Sequence, residues 1–206
     1  MIYQHIKYSL LAILTISLLS ACSGSDDDDA SGAETYKAKV TRTAYGIPHI
    51  EADDWGSLGY GFGYSYSQDN YCVLMREIVA ANGQSAEFFG EEDGDLDADF
   101  IFQRINNSNP AETQRLLDSQ PAHVQSLISG YVSGVNRYLR DTGVANLAEG
   151  DVGCRNASWV RYIDALDLIK YFRGIQLQNS STGGLLRQSI MDTSGPSAAV
   201  TASPDQ

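Results

Sequence analysis

Apolar residues near the start of the folded region alternate with polar ones. Tyr36, Ala38 and Val40 have the period of a half-buried strand. The turn at Tyr45-Gly46 leads the chain into a second run, Ile47–Glu51. These two segments are predicted to form a β-hairpin.

The apolar spacing then changes to that of helices. The predicted buried face of a first helix consists of Trp55, Leu58, Phe62, Tyr66, Tyr71, Leu74, Met75 and Ile78. Further helices are predicted over Pro121–Arg140 and from about Asp164 onward, the last one loosened at Gly174 and at Gly183-Gly184. The pattern predicts an α+β fold dominated by helices.

Gly59, Gly61 and Gly63 lie within the first predicted helix. In a nucleotide-binding Gly-x-Gly-x-x-Gly loop the third glycine would fall at Tyr64, and no strand leads directly into the run. We therefore predict that these glycines let the helix approach its neighbours closely, while the aromatic residues between them fill the gaps.

Four aspartates alternate like the ligands of a calcium loop: Asp93, Asp95, Asp97 and Asp99. However, Ala98 occupies the position of the sharp-turn glycine and Arg104 that of the bidentate glutamate. The segment is instead predicted to be a solvated loop that caps a helix beginning near Phe100.

Residues 1–21 have the pattern of an export signal, with an apolar run, Tyr8–Leu19, that is too short to span a bilayer. The residues just before Cys22 resemble the lipobox of bacterial lipoproteins. Lipidation of Cys22 is therefore predicted, and Ser23 is typical of sorting to the outer membrane, facing the periplasm of a Gram-negative bacterium. The alternative is ordinary export as a soluble periplasmic protein.

Two polar segments flank the predicted core. Residues 22–35, which include a run of aspartates, are predicted to be a disordered tether, and residues 192–206 a flexible tail or spacer. Residues 36–191 remain for one domain. The formal net charge of -12 argues against nucleic acid and against adhesion to anionic lipid. The membrane is therefore contacted only through the lipid anchor.

The domain contains two cysteines, Cys72 and Cys154, and two histidines, His49 and His123. Export places the cysteines in an oxidising compartment, so a Cys72–Cys154 disulfide is predicted, with two free buried thiols as the alternative. Metal-ligand spacing and the nucleophile motif Gly-x-Ser-x-Gly are both missing from the sequence. His49 is predicted to be structural and His123 to lie at the surface. No metal, cofactor or catalytic residue is predicted in this chain.

Four linked blocks resemble the first chain of the penicillin acylase family: Tyr45-Gly46-Ile47-Pro48-His49-Ile50, Leu58–Tyr64, Gln68-Asp69-Asn70 and Asn82–Gly90. Later segments at Gly130–Asn136 and Trp159 extend the resemblance, which runs from about Val40 to about Met191. Tyr71-Cys72 and Gly153-Cys154-Arg155 are most similar to the branch that cleaves N-acyl homoserine lactones and acylated peptides such as aculeacin.

Members of this family resemble other N-terminal nucleophile hydrolases of αββα architecture. A precursor cuts itself, and the first residue of the second chain, usually serine, attacks an amide with its own α-amine as base. The resemblance implies that this chain is the first-chain part of such an enzyme and that the second (beta) chain of the same precursor is its partner. The expected Gly-Ser-Asn cut site does not occur among the 206 residues.

The resemblance also implies where an N-acyl substrate binds. The family's acyl-pocket positions fall at Gln176 and Leu177, the alternative being a solvent-facing Gln176 and an ordinary core Leu177. Gly183 stands where penicillin-cleaving members have a calcium-binding glutamate, which argues against a calcium site.

The predicted function is hydrolysis of the amide bond of N-acyl substrates: N-acyl homoserine lactones, penicillin-like compounds or acylated peptides. This chain would contribute the alpha-chain region of an exported enzyme and would be inactive alone, because the nucleophile belongs to the second chain. The alternative is a truncated or degenerate, non-enzymatic lipoprotein that binds acyl groups or a partner.

Overall fold

The computed structural model describes residues 35–148 and 153–194. The predicted signal, the lipidation site Cys22, all but the last residue of the predicted tether and residues 195–206 lie outside the described residues. Within the described ranges, no helix has both the length and the apolar content needed to cross a membrane.

The described elements follow one another as a hairpin and then a series of helices. They are β1 Lys39–Arg42, β2 Pro48–Glu51, α1 Trp55–Ala81, α2 Ser85–Asp93, α3 Leu96–Phe102, a π-helix Gln103–Asn107, α4 Pro110–Asp118, α5 Ala122–Thr142, a 3₁₀ turn Val144–Asn146, α6 Ala165–Gln178 and α7 Ser181–Ser194. The helix-dominated α+β class and the N-terminal hairpin are confirmed.

The hairpin lies on the first half of α1. Val40 pairs with Ile50 in antiparallel register. A Cβ atom on Gly61 would lie 2.7 Å from Ala38 Cβ and 2.7 Å from Ile50 Cγ2, so the backbone of α1 meets the hairpin directly. The guanidinium of Arg42 then fastens the hairpin by donating hydrogen bonds to oxygen atoms of Gly46, Ser65, Gln68 and Asp69.

The other side of this half of α1 crosses α5 at backbone contact distance. Four glycines make the crossing possible, because a Cβ atom on any of them would lie 1.8 to 2.2 Å from a carbonyl oxygen of the other helix. The pairs are Gly130 with Gly56, Gly59 with Leu127, Gly63 with Tyr131, and Gly134 with Tyr60. The predicted close approach of the glycine-containing helix is confirmed.

The predicted buried face of α1 is wrong in its first half. Trp55 is 52% exposed and Phe62 is 49% exposed, whereas Ser57, Ser65 and the glycines are buried. The reason is that the helix is covered on two sides at backbone distance, where only small residues fit. Its aromatic side chains lie between the covered faces instead, as Phe62 does where it packs edge-on against Tyr131 with ring centroids 5.3 Å apart.

The second half of α1 forms the main core, as predicted. It contributes Tyr71, Leu74, Met75 and Ile78, all of which are buried. Residues from α5 and α6 complete this cluster: Ile128, Val135, Tyr138, Leu139, Leu168 and Ile169. The change from small to large buried residues falls near Asn70, where the backbone leaves helical geometry at φ -139° and ψ 27°.

A disulfide joins Cys72 of α1 to Cys154, with Cα atoms 5.4 Å apart across 82 positions of sequence. Both residues are buried, and Trp159 and Ile163 from the same connecting segment enter the core beside them. Closing a loop of this length stabilises the fold by about 4 kcal/mol in the chain-entropy account. The bond therefore holds the long segment between α5 and α6 against α1.

Two of the alternating aspartates cap different helices. Asp95 accepts a hydrogen bond from Ala98 N at 2.8 Å, so α3 begins at Leu96, earlier than the predicted start near Phe100. Asp99 is buried and accepts hydrogen bonds from the first backbone N–H groups of α2, those of Ser85 and Ala86. These carboxylates satisfy free helix N–H groups.

Gly130→Ala is expected to lower the free energy of unfolding by about 3 kcal/mol, because its methyl group would collide with the backbone of α1. Gly184→Ala is the matched control, since nothing lies within 4 Å of its Cβ position in α7 and alanine favours a helix by about 0.5–1 kcal/mol. Urea unfolding followed by circular dichroism measures both changes. Equal effects of the two substitutions would contradict the backbone contact.

Candidate functional site

The start of α6, the helix that carries Gln176 and Leu177, is fixed by a reciprocal pair of hydrogen bonds. Asp164 Oδ1 accepts from Asp167 N at 2.9 Å, and Asp167 Oδ2 accepts from Asp164 N at 3.0 Å. This capping box satisfies backbone donors at the helix start. The helix therefore begins at Ala165, where the sequence pattern places it.

Asp167 also ties α6 to the end of α1. Its carboxylate accepts hydrogen bonds from both terminal nitrogens of Arg161, at 2.7 and 2.8 Å, and from Asn82 Nδ2 at 2.9 Å. Lys170 Nζ, one turn along α6, donates to Asn82 Oδ1 at 2.7 Å. The contact thus joins two charged residues of α6 to one amide at the end of α1.

Two opposing effects act on the pKa of Asp167. Burial raises it, since the residue is only 4% exposed. Three hydrogen bonds lower the pKa of Asp167 by more than burial raises it; they come from Arg161, from the Asp164 N–H and from Asn82. The resulting pKa lies below the ordinary value, so the carboxylate is held ionised in the folded protein.

The same end of α1 is bonded to the π-helix. Its last carbonyl groups, at Ala81–Gly83, have no partners within the helix. They accept hydrogen bonds from three side-chain amides of the π-helix, at 2.8 to 3.2 Å: Gln103 to Asn82 and Gly83, Asn106 to Ala81, and Asn107 to Asn82. Because α6 and the π-helix are both fastened to Ala81–Gly83, the space between them has a fixed width.

An apolar cavity of about 170 Å³ lies in that space, with α3 and α7 on its remaining sides and one part open to solvent. Its apolar lining residues are Ala98, Ile101, Phe102, Ile105, Leu177, Leu186 and Ile190. Among the described residues, Arg187 is the only ionisable side chain in the lining, and Gln178 supplies an amide. The cavity can hold an apolar group, but it contains no pair of groups suited to acid–base catalysis.

The two sequence-predicted site residues have different positions. Leu177 is half-buried and lines the cavity, whereas Gln176 is exposed and does not. A close contact shapes the cavity here, because a Cβ atom on Gly183 would lie 1.8 Å from Leu177 O. The first turn of α7 therefore packs against the backbone of the last turn of α6.

Sequence reasoning missed the opposite wall, which consists of Ile101, Phe102 and Ile105. These residues are more than 70 positions from Leu177, so no local spacing connects them. The available signal was the apolar run from Phe100 to Phe102, followed by Ile105 one turn later. That run predicts burial but does not indicate which helix it faces.

A second apolar depression, of about 240 Å³, lies between α1, α5 and α6. We call it the aromatic groove; its lining includes Phe62, Tyr66, Leu127, Tyr131, Phe172 and Ile175. Phe62 and Phe172 are each about half exposed. Exposed apolar patches of this kind mark surfaces that another chain or a ligand covers.

The remaining chemistry-bearing residues do not form a reactive centre. His49 and His123 are both exposed and lie outside the cavity lining. In residues 35–148 and 153–194, no three His, Cys, Asp or Glu side chains are grouped as metal ligands would be. The described lining of the apolar cavity likewise contains no serine, threonine or cysteine.

Comparison with known proteins gives matches over most of the chain. The profile of the penicillin amidase family matches residues 37–184. An acyl-homoserine lactone acylase of Pseudomonas putida is 39% identical over 142 residues, covering 66% of this chain and 18% of the relative. The aculeacin-A acylase of Actinoplanes utahensis is 34% identical over 215 residues, covering 98% of this chain and 26% of the relative. The chain therefore spans about a quarter or less of the length of these relatives.

A solved structure matches the fold. A thermostable penicillin G acylase from Alcaligenes faecalis superposes with a TM-score of 0.58 at 23% identity. The alignment covers 81% of this chain and 89% of that chain. The arrangement of helices and hairpin is therefore shared with that penicillin G acylase.

Asp167→Asn is expected to lower the free energy of unfolding by about 2 kcal/mol near neutral pH, since charge-assisted hydrogen bonds are lost. The folded-state pKa of Asp167 lies below its unfolded value of about 3.9. Its stabilising contribution is therefore present above that value and is lost as the pH falls through the folded-state pKa. Urea unfolding of both proteins over this pH range measures the difference.

The exposed Asp53 supplies the control for this experiment. Asp53→Asn is expected to leave the free energy of unfolding within about 0.5 kcal/mol of the original value near neutral pH, because Asp53 is exposed. The test compares the free energies of unfolding of the wild type and of Asp167→Asn. If their difference stays constant with pH, the ionised carboxylate is not what stabilises α6.

Proposed function

Because the chain belongs to the penicillin amidase family, we propose that it is the alpha-chain region of an exported acylase that hydrolyses the amide bond of N-acyl substrates. The observation that carries the proposal is the apolar cavity beside Leu177. The matched relatives are named for acyl-homoserine lactones, aculeacin A and penicillin G. These are the candidate substrate classes.

In this proposal the acyl group lies in the cavity and Leu177 contacts it. Gln176 is exposed outside the lining, so it is proposed to meet the polar part of the substrate. An apolar acyl group gains about 0.8 kcal/mol for each methylene removed from water. The cavity would therefore supply binding free energy, while the reacting amide remains outside it.

The nucleophile is proposed to come from a second chain of the same precursor. An α-amine with a pKa of about 8 can act as base for a hydroxyl on the same terminal residue, which an interior residue cannot do. The aromatic groove supports the proposal of a partner, because it leaves Phe62 and Phe172 half exposed. Alone, this chain would bind the acyl group without cleaving the amide.

Export and attachment through Cys22 belong to the same proposal. The Cys72–Cys154 disulfide supports the export step, since structural disulfides persist in oxidising compartments such as the periplasm. A lipid on Cys22 would hold the enzyme at the outer membrane, with residues 23–35 as the tether.

Leu177→Trp tests the cavity in the enzyme assembled with its second chain. The indole would fill the space meant for the acyl group, so kcat/KM for an N-acyl homoserine lactone is expected to fall at least tenfold, or about 1.4 kcal/mol. Release of the free amine measures the reaction. Gln188→Trp is the matched control, because Gln188 is exposed on α7 and does not line the cavity.

Three results would contradict the proposal in different ways. Turnover by the 206-residue chain alone would show that it carries a nucleophile. Unchanged kcat/KM in Leu177→Trp would place the acyl group elsewhere. Acyl binding without turnover, even in the presence of the second chain, would favour a non-enzymatic acyl-binding lipoprotein.

A further inference from the structure

We infer that the ring of Phe102 sets the longest acyl group that the cavity accepts. Phe102 is the last residue of α3, and its ring lies against Gly174 of α6. This inference rests on the proposed function of the cavity and adds the residue that determines its length.

The ring of Phe102 stands between two separate cavities. One is the 170 Å³ cavity beside Leu177, and the other is a smaller space of about 40 Å³ toward Ala80 and Tyr171. Phe102 and Gly174 line both. Gln178 also lines both, and Glu77 lines the smaller one. The ring is therefore a partition between the two spaces, and its removal would join them into one longer channel that is apolar beside Leu177 and partly polar beyond the ring.

The partition is held in place from both sides. A Cβ atom on Gly174 would lie 2.9 Å from Phe102 Cε1, so the ring already touches the backbone of α6. Behind it, the π-helix that follows Phe102 is bonded to Ala81–Gly83 through Gln103, Asn106 and Asn107. Phe102 is 8% exposed, so the only open spaces beside its ring among the described residues are the two cavities that it lines.

The size of the cavity indicates the length of the group that it holds. A dry apolar cavity of about 150 Å³ in another protein is large enough for benzene. The cavity of about 170 Å³ beside Leu177 therefore accommodates about six carbons before the chain meets the ring. Longer acyl chains would have to displace Phe102 or leave their last carbons in water.

The test measures dissociation constants of the 206-residue chain for N-acyl homoserine lactones with straight acyl chains of increasing length. In the wild type, affinity is expected to rise about fourfold per methylene, the equivalent of about 0.8 kcal/mol, and to stop rising near six carbons. Phe102→Ala is expected to extend the rise by at least two methylenes, giving about fifteenfold tighter binding of the longer probes. Gly174→Ala pushes the ring into the cavity and should end the rise at a shorter chain.

Phe100→Ala is the matched control, because Phe100 lies in α3 but lines neither cavity. Its length profile should equal that of the wild type. Phe102→Leu also shortens the side chain and serves as the second variant if circular dichroism shows that Phe102→Ala does not fold. The binding readout does not require catalysis.

The outcomes separate the two proposals. If the affinity of the wild type stops rising at an acyl-chain length that is the same in both Phe102 variants, Phe102 does not set the length limit. This inference then fails, while the cavity remains the proposed acyl site. If wild-type affinity does not depend on chain length, or no probe binds, the proposed function of the cavity fails and the inference fails with it.

Discussion

The turn Ala81–Gly83 at the C-terminal end of α1 bonds to both elements that face each other across the cavity, the π-helix and α6. From one side, side-chain amides of the π-helix donate hydrogen bonds to the backbone carbonyls of Ala81–Gly83. From the other side, the side chain of Asn82 accepts a hydrogen bond from Lys170 and donates one to Asp167. A helix end needs such partners because its last carbonyls cannot be satisfied within the helix. Here the π-helix supplies the partners of the carbonyls, and the side chain of Asn82 in the same turn bonds to α6. One turn thus holds both elements that flank the cavity.

The rest of the fold keeps that turn in position. The first half of α1 is enclosed at backbone distance by the hairpin and α5, which is possible only because Gly59, Gly61 and Gly63 present no side chain. The second half is anchored by large core residues and by the disulfide from Cys72 to Cys154. One long helix thus connects the hairpin at its start to the apolar cavity at its end.

The sequence predicted well those features that depend on neighbouring residues. The hairpin, the core face after Asn70 and the start of α6 at its capping box all follow from local spacing and local hydrogen bonds. The exposure of Trp55 and Phe62 could not be predicted in this way, because it depends on how closely other elements approach α1. The wall formed by Ile101, Phe102 and Ile105 was missed for the same reason. Leu177 was singled out only through family resemblance, which carries long-range information that spacing does not; it lines the cavity, and its contact with an acyl group stays a prediction.

The measurement that tests the account most directly is photoaffinity labelling with an N-acyl homoserine lactone that bears a diazirine at the end of its acyl chain. Mass spectrometry of the labelled chain locates the attached carbon. The account predicts adducts on both cavity walls, in residues 101–105 and 174–178. Adducts confined to the aromatic groove around Phe62 and Tyr131 would contradict it, because the acyl group would then lie outside the cavity that α1 holds open.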